Sequence, residues 1–196
     1  MKKAVWIILC VVISPFVHAQ HLINEPQNLI EWNEYYTISW EDFQGLPTHE
    51  SIGDAGTAVK IKATPFFIKN RVYYDVEALF DRKRSWSRAK SDALLEHERL
   101  HFDIAELYAR KIRKMLSDMN ERGVHDIKSY NAAIHELLER SNEADQRYDL
   151  ETLHGALSKK QMIWERKVKE QLMGLKDYKK RKRIIAAGEI SRQNNS

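Results

Sequence analysis

The chain has 196 residues, of which 43% are apolar and 10% aromatic, and this composition excludes a disordered or fibrous protein. Its net charge of +4 is unevenly distributed along the sequence. Residues 1–19 carry +2, residues 176–196 carry +5, and the body between them carries −3. A basic groove is therefore not expected, and we predict no nucleic-acid partner.

The first segment has the pattern of an export signal. Two lysines precede the apolar stretch Ala4–Val17, which is too short to span a bilayer comfortably, and Ala19 ends a small-x-small cleavage pattern. We predict a signal peptide over residues 1–19, the alternative being an uncleaved anchor. The only cysteine, Cys10, lies inside it, so the exported protein, periplasmic or secreted, would have no disulfide.

The next part of the chain has the period-two pattern of strands. Apolar and charged residues alternate over Val59–Ala63 and again over Val72–Phe80. Lys69 and Asn70 suit a turn between them, which predicts a hairpin. Gly45 and Pro47 predict a loop over Trp40–Ile52.

From about Ser87 the apolar period changes to 3.6, which predicts helices. We predict three of them: from Ser91 or Asp92 to about Arg122 before Gly123, from Asp126 or Ser129 to about Glu143, and from a Ser158 cap to about Lys182. A polar break, Asp145–Gly155, is predicted between the last two. The pattern favours one α+β domain over residues 20–185, followed by a polar tail over 186–196.

An H-E-x-x-H motif, His97 to His101, lies in the first predicted helix. A spacing of four puts both imidazoles on one helical face, where they can bind the same tetrahedral metal ion. Glu98 is positioned to act as the general base on a water molecule. The motif predicts a zinc site with His97 and His101 as ligands.

A helical projection puts both histidines on the apolar side of this helix. Ile104, Tyr108, Ile112 and Met115 fall within about 60° of His97, and charged residues such as Glu106 fall on the opposite side. Buried imidazoles need polar partners, which a metal supplies; the alternative is two core histidines bonded to carbonyls or carboxylates. We expect Glu106 to be solvated or to orient a neighbour, and not to be a ligand.

A catalytic zinc needs a third protein ligand and an open position. We choose His154, which lies in the predicted polar break; its rivals are His125, His135, Glu139 and Glu143. Asp149 could orient an imidazole. Tyr148 or Tyr108 could stabilise an oxyanion, the alternative being ordinary packing.

Several motifs occur in a fixed order: Trp40-Glu41-Asp42-Phe43-Gln44-Gly45-x-Pro47, Ser85-Trp86, the segment Leu94 to Glu106, Tyr148-Asp149-x-x-Thr152-x-His154-Gly155 and Gln161-x-x-Trp164. This set resembles the bacterial domain-of-unknown-function family nine hundred and twenty-two, whose members are regarded as secreted zincin-type zinc proteases. The resemblance covers about residues 36–172. It implies a zincin-like fold, with a small antiparallel sheet packed on the H-E-x-x-H helix. His97, Glu98 and His101 match the motif, and the Tyr-Asp-x-x-Thr-x-His-Gly segment favours His154 as the third ligand.

The leading hypothesis is a zinc metallopeptidase acting on a peptide or protein substrate. Zn²⁺ would be bound by His97, His101 and His154, with Glu98 and Tyr148 as the catalytic residues. An edge strand, either Ala55–Ala63 or Arg71–Phe80, would bind the extended substrate.

Two other hypotheses remain open. The first is a non-catalytic zinc-binding envelope or interaction protein, which predicts a fourth protein ligand. The second is an envelope-binding helical protein that contacts anionic groups through Lys179–Arg183. That basic run would otherwise be a solvated helix end. We expect a monomer in each case.

Overall fold

The computed structural model describes residues 28–69 and 71–180. The predicted signal peptide and the polar tail lie outside them. Within these ranges a small antiparallel sheet is followed by three helices. The α+β class predicted from the change of apolar period is confirmed.

Three strands form the main sheet: β1 (Leu29–Glu31), β3 (Val59–Ile68) and β4 (Arg71–Asp81). Their order is β1-β4-β3, so β4 is central and β3 lies at an edge. β3 and β4 pair from Val59 opposite Phe80 to Ile68 opposite Arg71, which confirms the predicted hairpin. Lys69 begins the turn with a φ of 47°. β1 was not predicted, because three residues are too few to show a period.

A second, two-stranded sheet pairs β2 (Ala55–Gly56) with β5 (Trp86–Ser87). The segment before it is mostly loop, as predicted, but begins with a 3₁₀ turn at Trp40–Asp42. The carboxylate of Asp42, 1% exposed, accepts hydrogen bonds from Tyr36, the Ser39 backbone and the Arg82 guanidinium. The first family motif therefore fastens this loop to the end of β4.

The helices are α1 (Asp92–Glu121), α2 (Ile127–Thr152) and α3 (Ser158–Gly174). Ser91 caps α1 and Asp126 caps α2, each accepting from a backbone N–H, and Gly123 follows α1 with a φ of 75°. These boundaries match the prediction closely.

Two helix predictions are wrong. The polar break predicted from Asp145 is helical, and α2 continues to Thr152, because polar residues without glycine or proline do not end a helix. The last helix ends at Gly174 rather than near Lys182, and Leu157, not Ser158, is its N-cap. A 3₁₀ turn, Lys176–Tyr178, follows it.

The long helix α1 is the centre of the fold. Its Phe102 and Ile112 pack with Phe80 of the sheet, while Ile104 packs with Tyr148 and Trp164 from α2 and α3. Because α1 is covered on both sides, most of its charged face is not exposed to solvent, contrary to the helical projection.

Glu106 shows this most clearly, since it is 2% exposed. Its carboxylate accepts hydrogen bonds from Arg110 and Arg113 at 2.8 and 3.0 Å. Its predicted solvation is therefore wrong. Burial is possible because the two guanidinium groups replace water around the carboxylate.

The first lysines of the C-terminal basic run contact the body of the protein. Lys179 pairs with Glu34, and Lys180 pairs with Glu31 and Glu77. Residues 181–183 of that run lie outside the described residues, so envelope contact stays a prediction. Among the described helices, none has the length and apolar character needed to cross a bilayer.

Candidate metal centre

Helices α1 and α2 bring four polar side chains together. His97 and His101 are one turn apart on α1, and Asp145 and Asp149 are one turn apart on α2. His97 Nε2 lies 3.4 Å from His101 Nε2, and Asp149 Oδ1 lies 3.1 and 3.2 Å from these two nitrogens. His97, His101 and Asp149 thus form a group of potential metal ligands.

The spacing of these three atoms suits a tetrahedral metal ion. Zinc–ligand bonds of about 2.0–2.1 Å at tetrahedral angles put neighbouring ligand atoms about 3.3–3.4 Å apart. The observed edges, 3.1, 3.2 and 3.4 Å, are close to that separation. Two imidazoles and a carboxylate are also ligands that zinc accepts. The three residues therefore fit zinc, with a fourth position left for a non-protein ligand.

The far side of each imidazole has its own hydrogen-bond partner. His101 Nδ1 donates to Asp145 Oδ1 at 2.6 Å, and His97 Nδ1 donates to Gln161 Oε1 at 3.2 Å. The Gln161 amide is oriented by its Nε2, which donates to Glu165 at 2.9 Å. With Nδ1 as the donor in both rings, each neutral imidazole has its Nε2 lone pair free for a metal.

Without a metal, the two carboxylates compensate the buried imidazoles. Burial lowers the pKa of His101, but hydrogen bonds to Asp145 and Asp149 outweigh this effect and raise the pKa to about 10. Burial raises the pKa of Asp149, but hydrogen bonds from His101 and His97 outweigh it and lower the pKa well below its usual value. The cluster therefore stabilises positive charge between its carboxylates.

Glu98 is the residue of the H-E-x-x-H motif whose side chain has an oxygen without a hydrogen-bond partner. The residue is 3% exposed, and among the described residues its Oε2 is the one buried side-chain N or O atom without a hydrogen-bond partner. Burial raises the pKa of this carboxyl. A buried carboxylate oxygen with no protein partner is a group for which a ligand or water is expected.

The structure places His154 next to the group but not in it. Its Nδ1 lies 3.4 Å from Asp149 Oδ1, and its side chain is 56% exposed. Asp149 instead supplies the third atom of the group, whereas the sequence suggested for it only the role of orienting an imidazole. A metal-binding role for His154 stays a prediction.

Tyr148 lies behind His97 and is fully buried. Its ring stacks on the His97 imidazole with centroids 4.7 Å apart, and its hydroxyl donates to Gln161 Oε1 at 2.7 Å. The phenol thus helps to position His97 through Gln161. A contact of this hydroxyl with an oxyanion stays a prediction. Tyr148 is not among the residues that border the groove described below.

The end of α2 is shaped around His97. Leu153, His154 and Gly155 all have positive φ, at 48°, 51° and 85°. A Cβ on Gly155 would lie 2.9 Å from His97 Cγ, so only glycine leaves room for the imidazole here. The Tyr-Asp-x-x-Thr-x-His-Gly motif thus supplies a ring that stacks on His97, a potential ligand and a turn that accommodates the imidazole.

The other candidates lie away from the group. The rival ligands are all exposed to solvent and lie on α2 or just before it: His125, His135, Glu139 and Glu143. Tyr108 contacts Lys111, whose Nζ lies 4.1 Å from its ring centroid. None of these residues belongs to the potential metal-binding group of the described chain.

Two residues of the site received no role from the sequence, Asp145 and Gln161. Asp145 and Asp149 form a D-x-x-x-D pair with the same one-turn spacing as the two histidines, and this signal was hidden by the mistaken break in α2. Gln161 appeared in the motif set, but a single glutamine on a helix has no spacing that predicts its partner.

Two hollows border the group, and we refer to them together as the groove. The first is bordered by β2 and its neighbouring loop, together with Trp86, His97, Glu98 and Asp149. The second runs between the start of β3 and the middle of α2. His101 and Asp145 border both hollows, so the potential metal ligands lie along the groove.

Comparison with known proteins gives one match. No curated protein and no solved structure matches the chain significantly. A family model described as "Bacterial protein of unknown function (DUF922)" matches residues 36–155, from the Asp42 loop to Gly155. Gln161 lies beyond the matched residues. The match covers more than half of the sequence, and the chain therefore belongs to this family of bacterial proteins of unknown function.

Proposed function

We propose that the protein is an exported zinc-dependent peptidase with a zincin-like site. The observation that carries this proposal is the triangle of His97 Nε2, His101 Nε2 and Asp149 Oδ1, with edges of 3.1–3.4 Å. Glu98 supports it, because an unpaired buried carboxylate beside this triangle fits a general base better than a structural residue.

His97, His101 and Asp149 would hold the metal, and Asp145 and Gln161 would orient the two imidazoles. Bound zinc would supply Lewis acidity, which polarises a peptide carbonyl and makes water a stronger nucleophile. The ligand set leaves one tetrahedral position without a protein atom, which catalytic zinc sites require.

Glu98 moves the proton in this scheme. A carboxylate oxygen of Glu98 takes a proton from the attacking water and then donates it to the leaving amine nitrogen. Burial raises the pKa of Glu98, which brings its proton affinity closer to that required for both transfers near neutral pH.

The groove suits an extended substrate. Of the two strands predicted to bind it, β4 is paired on both sides near its C-terminal end, whereas β3 has an edge without a strand partner in the described chain. Val59, Lys60 and Ile61 of β3 border the groove next to His101. A peptide lying there could add a strand to the sheet and pass the metal group.

A second candidate is a non-catalytic zinc protein. His154 Nδ1 lies 3.4 Å from Asp149 Oδ1, so a modest movement of this exposed side chain could close the fourth position. The two candidates differ in what His154 does. In a peptidase it borders the groove, and in a structural site it binds the metal.

Metal analysis and hydrolysis together test the proposal. We expect one zinc per wild-type chain, with Glu98→Gln keeping the zinc and losing hydrolysis of a mixed peptide library by about 10²-fold or more. Asp149→Ala should weaken zinc affinity by about 10²-fold or more, since it removes a ligand, whereas His154→Ala should keep stoichiometric zinc. Absence of hydrolysis by the zinc-loaded wild-type protein would refute the peptidase, and full activity of Glu98→Gln would refute Glu98 as the base. Loss of zinc in His154→Ala would favour the structural site.

Export is tested separately. We expect the N-terminal residue of the protein recovered from the periplasm or medium to be Gln20, because the predicted signal ends at Ala19. An intact N-terminus on a membrane-bound protein would favour the uncleaved anchor.

A further inference from the structure

We infer that the groove selects substrates with a positively charged side chain, and that Glu50 and Asp54 are the residues that select it. This inference rests on the proposed peptidase function. It concerns the end of the groove next to β2, where both residues form part of the wall.

When its imidazoles are neutral, as metal ligands must be, the charged side chains of that hollow are all carboxylates. Five carboxylates line it, from Glu50, Asp54, Glu98, Asp145 and Asp149, and no lysine or arginine occurs among its lining residues in the described chain. A divalent metal would offset two of these charges and leave the hollow negative. Low-dielectric walls strengthen such a field, so a cationic group is attracted and an anionic one repelled.

Glu50 and Asp54 are available to a ligand, unlike the carboxylates of the metal group. Asp54 makes no side-chain ion pair or hydrogen bond within the described chain, and the ion pair of Glu50 with His49 Nε2, 3.8 Å away, requires that histidine to be protonated. The deeper Glu98 Oε2, nearly fully buried and also without a partner, borders the same hollow. These unpaired acidic groups point to an occupant that brings positive charge.

The loop that carries the two residues is held in place. Arg88 donates hydrogen bonds to the carbonyl oxygens of Thr48, Ser51 and Gly53 at 2.8–3.1 Å, and its guanidinium lies over Trp86. Because these bonds fix the loop backbone, only the side chains of Glu50 and Asp54 need to become ordered when a cation binds. The opposite hollow is bordered by Lys60 and Asp145, whose charges balance, so the excess of carboxylates is confined to the end of the groove next to β2.

The test uses peptide hydroxamates, which bind zinc and so fix the position of the attached residues. Three probes that differ only in a Lys, Gln or Glu residue are titrated against the full zinc-loaded protein. We expect the Lys probe to bind about tenfold more tightly than the Glu probe at low salt, because two exposed carboxylates attract the Lys side chain and repel the Glu side chain. The Glu50→Gln/Asp54→Asn variant should reduce this preference to below about twofold.

The matched control is Glu139→Gln/Glu170→Gln, which removes the same charge from exposed positions away from the groove and should keep the preference. Equal binding of the three probes to the native protein, or a preference that survives the Glu50/Asp54 change, would overturn the charge selection alone. If none of the three probes binds zinc-loaded protein, both the accessible metal site and the charge selection are refuted.

Discussion

Replacing Gly155 by alanine tests whether the end of α2 positions His97. Gly155 has a φ of 85°, and an added Cβ would lie 2.9 Å from His97 Cγ and 3.0 Å from His97 Cβ. The methyl group can be accommodated only if the imidazole or the turn moves. Movement of the imidazole would displace Nε2 from the triangle that it forms with His101 and Asp149.

Two costs add at this position. A left-handed backbone costs an alanine about 1–2 kcal/mol, and forcing a methyl into a filled space costs about 1–3 kcal/mol more. We therefore expect Gly155→Ala to lower the free energy of unfolding by about 2–5 kcal/mol. Zinc affinity should fall by about 10–100-fold, the usual effect of disturbing the groups that orient a ligand.

Gly123→Ala is the matched control. Gly123 also has a positive φ, 75°, but an added Cβ would meet nothing within 4 Å. It should lose about 1–2 kcal/mol and keep native zinc affinity. Urea unfolding of the metal-free proteins gives the stabilities, and competition with a coloured chelator gives the zinc affinities. Native zinc affinity in Gly155→Ala, or an equal loss of zinc affinity in Gly123→Ala, would refute the idea that the end of α2 positions His97.

Two further predictions concern other contacts of the fold. Gln161→Ala should weaken zinc binding by about tenfold and change the visible spectrum of the cobalt-substituted protein, because His97 Nδ1 loses its acceptor. The double variant Gln161→Glu/Glu165→Gln, which keeps an acceptor for His97 and a donor–acceptor pair between the two side chains, should restore most of the affinity. Unchanged zinc affinity in Gln161→Ala would contradict this role. Asp42→Asn should cost about 2–3 kcal/mol at pH 7 in chemical unfolding, because Asp42 bonds the Arg82 guanidinium. Burial raises the pKa of Asp42, but hydrogen bonds from the Ser39 backbone and Arg82 outweigh it and lower the pKa. The stabilisation is therefore fully present above the ordinary carboxyl pKa of 3.8 and is lost as the pH falls below that value. A difference in unfolding free energy between wild type and variant that stays constant down to pH 2 would contradict it.

The strongest periodic signals in the sequence led to the correct elements. The alternation over Val59–Ala63 and Val72–Phe80 predicted the hairpin, and Ser91 and Gly123 marked the ends of α1. The two histidines of the motif were correctly placed in a buried position. These features depend on local periodicity and capping, which a single sequence contains.

The partners of the histidines could not be found in the same way. Asp149 was considered as a group that orients an imidazole, but its place in the triangle depends on how α2 crosses α1. Glu106 was expected either in solvent or orienting a neighbour, because a helical wheel cannot show that the sheet covers this polar face, with Arg113 between them. The sequence contains these residues, but tertiary packing decides which of them meet.

The order in which the site can form follows from where its parts lie in the chain. The histidines of α1 meet Asp145, Asp149 and Gln161, which are 44, 52 and 64 residues further along the sequence. During synthesis from the N-terminus, the H-E-x-x-H helix is therefore available well before any of these partners. The three potential metal ligands can come together once α2 has packed on α1, whereas the Gln161 acceptor of His97 is supplied only by α3. The last helix thus fixes the orientation of one imidazole in a group whose three potential ligands all precede it in the chain.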